Sequence, residues 1–168
     1  MNWELIYRQY SSGVLQYLKS LTFKSGDAED LLQETFIKAM RSEESLREES
    51  KVYSWLLTIA RNLFFDSRRK LSRRETMSID DENFQDLEAR PEAHGNPERY
   101  ALQSDFETRL EMEISRLPET LKTAFVLGIM QKLTYKEIGD ITEWSPSMVK
   151  TNVFRARKKI ALALSEFR

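Results

Sequence analysis

With 168 residues and no cysteine, the chain is long enough for one domain or two small helical ones, but it cannot build a disulfide framework or a thiolate metal site. A formal net charge of −1 would count against a nucleic-acid partner if the charge were evenly spread, so the distribution of the 26 basic and 27 acidic residues carries the information. Five glycines, four prolines and few β-branched runs point to an all-α fold; the opening Met1 to Tyr7 is not a signal peptide, and no stretch approaches the roughly 20 apolar residues that span a bilayer, which predicts a cytoplasmic protein.

Residues 3 to 22 place Tyr10, Val14, Tyr17, Leu18 and Leu21 at spacings of three and four, an amphipathic helix with its aromatics in the core. Lys24-Ser25-Gly26 breaks the pattern. A second helix is predicted from Asp27, read as its N-cap, to Met40, with Ala28, Leu32, Phe36 and Ala39 as the buried stripe. Asp30, Gln33 and Glu34 then share an outward face. On their own, these residues need be no more than a capped and solvated helix surface.

A polar loop over residues 41 to 51 precedes a third helix, whose Val52, Trp55, Leu56, Ile59, Ala60, Leu63 and Phe64 form one broad apolar face. Toward its end the other side turns basic: Arg61, Arg68, Arg69, Lys70, Arg73 and Arg74 stand against Asp66, a local charge of +5 over residues 61 to 74. Cations interleaved with Tyr53, Trp55, Phe64 and Phe65 suit a phosphate backbone and unstacked bases, although the aromatics serve equally as core. Residues 75 to 95 then carry seven acids against Arg90 and no sustained apolar period, which reads as an acidic flexible linker. The only histidine, His94, lies here, so a histidine triad or histidine-rich metal site has no support.

Asn96-Pro97 marks another helix start, followed by Leu102, Phe106, Leu110, Ile114 and Leu117 at spacings of four, four, four and three. Pro118 begins the next helix, with Leu121, Ala124, Phe125 and Ile129 inward. Two short helices follow around a tight turn. Ile138 and Ile141 precede it; Ser145 is the N-cap and Pro146 the first position of the second helix, where Val149, Val153 and Ile160 share a face. Six cations (Lys150, Arg155, Arg157, Lys158, Lys159, Arg168) stand against Glu166 on the remaining surface. This is a helix-turn-helix pattern, whose second helix enters the DNA major groove, although helical hairpins with basic outer faces also occur in proteins that never touch DNA. Two basic helical units joined by an acidic tether suit a protein that holds two places on one DNA molecule.

The landmarks Asp27-Ala28-Glu29-Asp30-Leu31-Leu32-Gln33-Glu34-Thr35-Phe36, Trp55 to Asn62 with Asp66 and Arg68-Arg69, Leu117-Pro118, and Tyr135-Lys136-Glu137-Ile138-Gly139 through Val149-Lys150 to Arg155-Ala156-Arg157 occur in order. Together they resemble a bacterial RNA polymerase sigma factor of the extracytoplasmic-function group, which has only sigma regions 2 and 4. The resemblance covers nearly everything outside the linker. It implies an all-α protein with region 2 over residues 1 to 74, an acidic linker over 75 to 95 and region 4 over 96 to 168. It further implies core RNA polymerase as partner, with Asp30, Gln33 and Glu34 on the β′ clamp helices and region 4 at the β flap. Melted −10 promoter DNA would fall to Tyr53, Trp55, Arg61, Asn62, Arg68 and Arg69 and the loop from Glu48 to Ser54. The −35 element would fall to Lys150, Thr151, Phe154, Arg155, Arg157 and Lys158. An anti-sigma factor, often membrane-bound in this family, is a further implied partner; no cofactor and no enzymatic activity are implied.

Gly139 stands where the family usually has alanine, Ser147-Met148 replace the more usual Gly-Thr, and Trp144 in the turn is unusual. Two other function classes compete. A free-standing regulator would keep the helix-turn-helix but need a dimer interface, for which no heptad seam is present. An enzyme would need a glycine-rich phosphate loop or acids paired with a nucleophile, and neither occurs.

Overall fold

A computed structural model describes residues 1–22, 25–77 and 105–165, and these contain seven helices and no strand. The all-α expectation holds. Helix α1 (Trp3–Leu21) opens on Asn2, whose side chain accepts from the Leu5 N–H at 3.3 Å, and closes where the Thr22 N–H donates to the Leu18 carbonyl. Helix α2 spans Ser25–Arg41. It therefore starts two residues before the predicted N-cap: Gly26 is helical, and Asp27 sits in the first turn, where the dipole still favours its charge.

Helix α3 runs from Val52 to Met77, so the acidic stretch expected from residue 75 begins inside a helix. At about 1.5 Å per residue it is roughly 39 Å long, far more than α1 or α2 can cover. Its residues 68 to 74 are accordingly all exposed. Helices α1, α2 and α3 enclose a core in which Val14, Leu18, Ala28, Ala39, Leu56 and Ala60 have no exposed surface. The alanines let the helix axes approach, and each buried leucine contributes roughly 1.5–3 kcal/mol relative to exposure.

The C-terminal half comprises α4 (Asp105–Ser115), α5 (Glu119–Phe125), a π turn (Val126–Met130), α6 (Tyr135–Thr142) and α7 (Pro146–Ser165). The helix start predicted at Asn96-Pro97, Leu102 and the linker's His94 lie outside the described residues. Phe106 departs from the inward stripe assigned to it: it is 50% exposed, whereas Leu110 and Ile114 are half-buried against the core and Leu117, just beyond the helix end, is buried.

The turn between α6 and α7 is closed by short-range hydrogen bonds. Thr134 and Glu137 form a reciprocal capping box at the start of α6. Glu143, at φ 64°, ends it in the left-handed region by donating its N–H to the Gly139 carbonyl at 2.9 Å. Ser145 accepts from the Met148 N–H at 3.3 Å, which makes it the N-cap of α7 as the sequence implied. A Cβ at Gly139 would sit 3.3 Å from the Trp144 carbonyl oxygen, so glycine here lets the turn fold back against α6.

The two halves pack together. Helix α3 lies against α6, and α1 lies against α5 and the π turn, so the buried residues of both halves form one continuous cluster.

Candidate nucleic-acid interface

Three surfaces carry the candidate side chains. On α2, the apolar Ala28, Leu31, Leu32, Phe36 and Ala39 face the bundle, and Asp30, Gln33 and Glu34 are exposed on the other side. Ile37 continues that outward stripe one turn later, 45% exposed. Sequence periodicity flags the acids, but not this isoleucine, because an apolar residue ordinarily reads as core.

Helix α7 buries Val149, Asn152, Val153, Ala156 and Ile160 against its own half. This leaves Lys150, Thr151, Phe154, Arg155, Arg157 and Lys158 all exposed, Phe154 by 63%. Among the described residues none of these six side chains makes a hydrogen bond or ion pair. The helix-turn-helix therefore presents an unoccupied polar and cationic surface with one aromatic ring in it.

Helix α3 is different, because its six candidates divide between two faces. Trp55, Asn62 and Arg69 are seven residues apart and so lie within about 40° of one another on a helix of 3.6 residues per turn. Asn62 is exposed, and Arg69 reaches only Asp66, at 3.9 Å, with both side chains largely in solvent. Trp55 is half-buried beside Trp3, ring centroids 6.5 Å apart. The Trp3 indole N–H donates to Glu43 Oε2 at 3.0 Å, and this bond, followed by the N-terminal ammonium on the other carboxylate oxygen, holds the Glu43 carboxyl below its ordinary range. Glu43 thereby ties the loop ahead of α3 to the start of α1, a role that no local pattern in a polar loop discloses.

Tyr53, Arg61 and Arg68 occupy the other face, within about 80° of one another, and all three are engaged by the C-terminal half. The Tyr53 ring stacks on Tyr10 with centroids 5.0 Å apart, and its hydroxyl donates to the Gln131 side-chain oxygen. Burial, reinforced by Tyr10, pushes the Tyr53 hydroxyl up to about 12. Gln131 in turn donates to the Gly13 carbonyl at 2.8 Å and to Gln16 Oε1 at 3.1 Å. Arg61, its side chain only 18% exposed, lies 4.7 Å over the Phe65 ring and 3.8 Å from Glu143 of the α6–α7 turn. Arg68 lies 5.4 Å over Phe64 and 3.4 Å from Glu119 at the start of α5. Tyr17 of α1 lies close enough to feel Arg61 and Glu119 from the two halves; burial dominates and pushes its hydroxyl well above the ordinary value. Leu57, which the predicted apolar face omits, falls between Tyr53 and Arg61 on this side and has no exposed surface.

Comparisons with known proteins find similar proteins over both halves of the chain. The Sigma-70 region 2 profile matches residues 6–74, and the Sigma-70, region 4 profile matches residues 107–160. RNA polymerase sigma factor YlaC of Bacillus subtilis is 31% identical over 166 residues, covering 98% of this chain and 93% of that protein. The ECF RNA polymerase sigma factor SigM of the same organism is 36% identical over 157 residues, covering 92% and 90%. Among solved structures, the sigma factor RpoE of Bartonella quintana, in complex with the anti-sigma factor NepR, shares the fold with a TM-score of 0.73 at 24% identity over 99% of both chains. No helix among the described residues is long and apolar enough to cross a membrane. With both region profiles in order on a cysteine-free helical chain and near full-length relatives above 30% identity, this protein belongs to the sigma-70 family of RNA polymerase sigma factors, in its extracytoplasmic-function group, and is a transcription initiation factor and not an enzyme.

Proposed function

We propose that the chain docks on core RNA polymerase through Asp30, Gln33 and Glu34, captures the melted −10 strand with α3 and the loop before it, and reads the −35 duplex with α7. The observation that carries this reading is the pair of unpartnered surfaces, acidic on α2 and cationic on α7, placed on the two regions of a sigma factor. An acidic helix face steers association with a basic clamp helix and fixes its orientation more than it adds affinity. Asn62, exposed in mid-helix, offers one acceptor and two donors to a base edge. Turning a base out of the stack costs a few kcal/mol, so capturing it both opens the duplex and reads it. At the other end, Lys150 near the start of α7 can donate to guanine O6 and N7 as a point charge, while Arg157 and Lys158 suit phosphates.

In this reading region 2 covers residues 1 to 74, an acidic tether 75 to 95 and region 4 96 to 168, and the protein acts in the cytoplasm. An anti-sigma factor controls it, anchored at the membrane. Two solved structures of similar fold support that control: the sigma factor RpoE in complex with the anti-sigma factor NepR, and CnrH in complex with the cytosolic domain of CnrY. The test is capture of core RNA polymerase by the purified chain, followed by transcription from a fragmented genomic library with and without it. Core capture with new discrete start sites supports the reading and yields the −10 and −35 sequences; specific duplex binding without core capture overturns it.

A further inference from the structure

We infer that Trp3 is a positioning residue for −10 capture: its indole fastens both ends of the segment from Glu43 to Trp55, and so holds the loop before α3 in the shape that receives the extruded base. This inference rests on the −10 role proposed for that loop.

One side chain closes the segment at two places. At its start, the Trp3 indole N–H donates to Glu43 Oε2 at 3.0 Å, across 40 residues of sequence. At its end, the same ring lies against Trp55 in the first turn of α3, with centroids 6.5 Å apart and planes inclined by 41°. Between these points the chain is lightly held. Glu43–Ser45 form a single turn of 3-10 helix, whose backbone bonds run back only to Ser42 and Glu43. Leu46 and Val52 pack on the core, but Arg47, Glu48, Glu49, Ser50 and Lys51 are all exposed, and the Lys51–Glu48 ion pair at 3.3 Å is local. An exposed stretch of this kind takes its shape from where its ends are fixed.

The residue types suit the task. Phenylalanine at position 3 would keep an aromatic contact but has no N–H, and lysine would keep a donor without the ring; the indole supplies both. Its acceptor is a carboxylate, which makes the bond charge-assisted. Trp3 is itself placed by the first turn of α1, where Asn2 accepts from the Leu5 N–H.

Trp55 heads the outward stripe that continues through Asn62 and Arg69, so the fastening lies where the loop meets that stripe. A base turned out of the stack binds best in a pocket already formed, because ordering the loop at that moment would subtract from affinity. Loosening the loop should therefore weaken capture and blur the choice of base, and leave the docking face of α2 and the −35 face of α7 as they were.

The test uses holoenzyme assembled from core polymerase and the full chain. The probes are a fluorescent single strand carrying the −10 sequence of a promoter recovered in the genomic assay, and the same strand with the captured base replaced. Trp3→Phe and Glu43→Leu each remove the hydrogen bond, whereas Glu43→Gln keeps an acceptor for the indole. Each of the first two is expected to bind the −10 strand about fivefold more weakly and to discriminate less against the replaced base, with core capture and −35 affinity unchanged. Glu43→Gln should stay close to the parent. The double variant Trp3→Phe/Glu43→Leu should be no weaker than the weaker single, since both break one bond. Parent-like −10 binding and discrimination in the two single variants overturns the positioning role. So does additive loss in the double variant, or a parallel fall in core capture and −35 affinity, which would mark general loss of structure. Failure of the parent itself to capture core polymerase overturns the initiation reading, and this inference with it.

Discussion

Helices α3 and α7 have similar charge and different circumstances. Each carries a dense set of cations, but the candidates on α7 face solvent without partners, whereas half of those on α3 lean on the opposite half of the molecule. The difference follows from how the helices are packed. Helix α7 buries one side, within its own half, and leaves the rest outside. Helix α3 packs on α1 and α2 and also on α6, so a long helix ends up with two occupied faces and one narrow outward stripe through Trp55, Asn62 and Arg69. Charge density predicts where nucleic acid could bind; it does not say which cations are available when the protein is alone.

The most direct way to break the comparison is to reverse charge on the open helix. Lys150→Glu with Arg155→Glu is expected to lower −35 duplex affinity by about 100-fold or more at low salt and to reduce the slope of log affinity against log salt by about 2, read by fluorescence anisotropy across a salt series. Because both side chains are exposed, the thermal midpoint should stay within about 2 °C of the parent's. A large loss of affinity with an unchanged salt slope would mean that the helix had moved and that the phosphate contacts lie elsewhere.

On α3 the sharper test is Asn62→Ala. Its neighbours on the outward stripe are unaffected, so promoter opening and −10 discrimination should fall about tenfold or more while capture of core polymerase is unchanged. Unaltered opening by the variant holoenzyme would remove Asn62 from the base-reading role. A smaller effect is expected on the third surface, where Glu34→Lys should weaken competition for core polymerase by about fivefold, since exposed charge pairs contribute little individually. Unchanged competition would place the docking face elsewhere.

These surfaces differ in how far the sequence discloses them. Ser145, Pro146 and the spacing of Val149, Val153 and Ile160 define α7 completely, because a cap and a single buried stripe are both local features. Asp30, Gln33 and Glu34 are equally legible, being opposite a regular apolar stripe. The start of α2 was missed by two residues because Gly26 reads as a breaker and yet fits the first turn. Phe106 keeps its place in a periodic pattern and yet is 50% exposed, because periodicity marks a face of a helix and not how deeply each turn of it is covered. The closure between the halves is wholly illegible: Tyr53 and Gln131 are 78 residues apart, and Gln131 lies between two helices, where no periodicity marks it. Leu57 shows the same limit, since one apolar stripe per helix is the simplest reading and α3 has more than one.

The smallest expected effect separates the Tyr53 contact from the ion pairs around it. Burial raises the Tyr53 hydroxyl from an ordinary 10.0 to about 12, so the folded chain holds this proton more tightly than the unfolded chain does. The stability tied to the protonated hydroxyl is therefore complete below pH 10 and is lost as pH rises toward about 12. The hydrogen bond runs from Tyr53 to the Gln131 oxygen, and a phenolate has no proton to give it. Tyr53→Phe lacks this loss but keeps the ring stacked on Tyr10, and Tyr17, whose hydroxyl is also raised by burial, is present in both chains. The difference in unfolding free energy between parent and variant should accordingly be constant from pH 7 to 10 and then move steadily against the parent. A difference that stays flat through pH 12 would mean that Tyr53 is solvated in the free protein and that the two halves stand apart there.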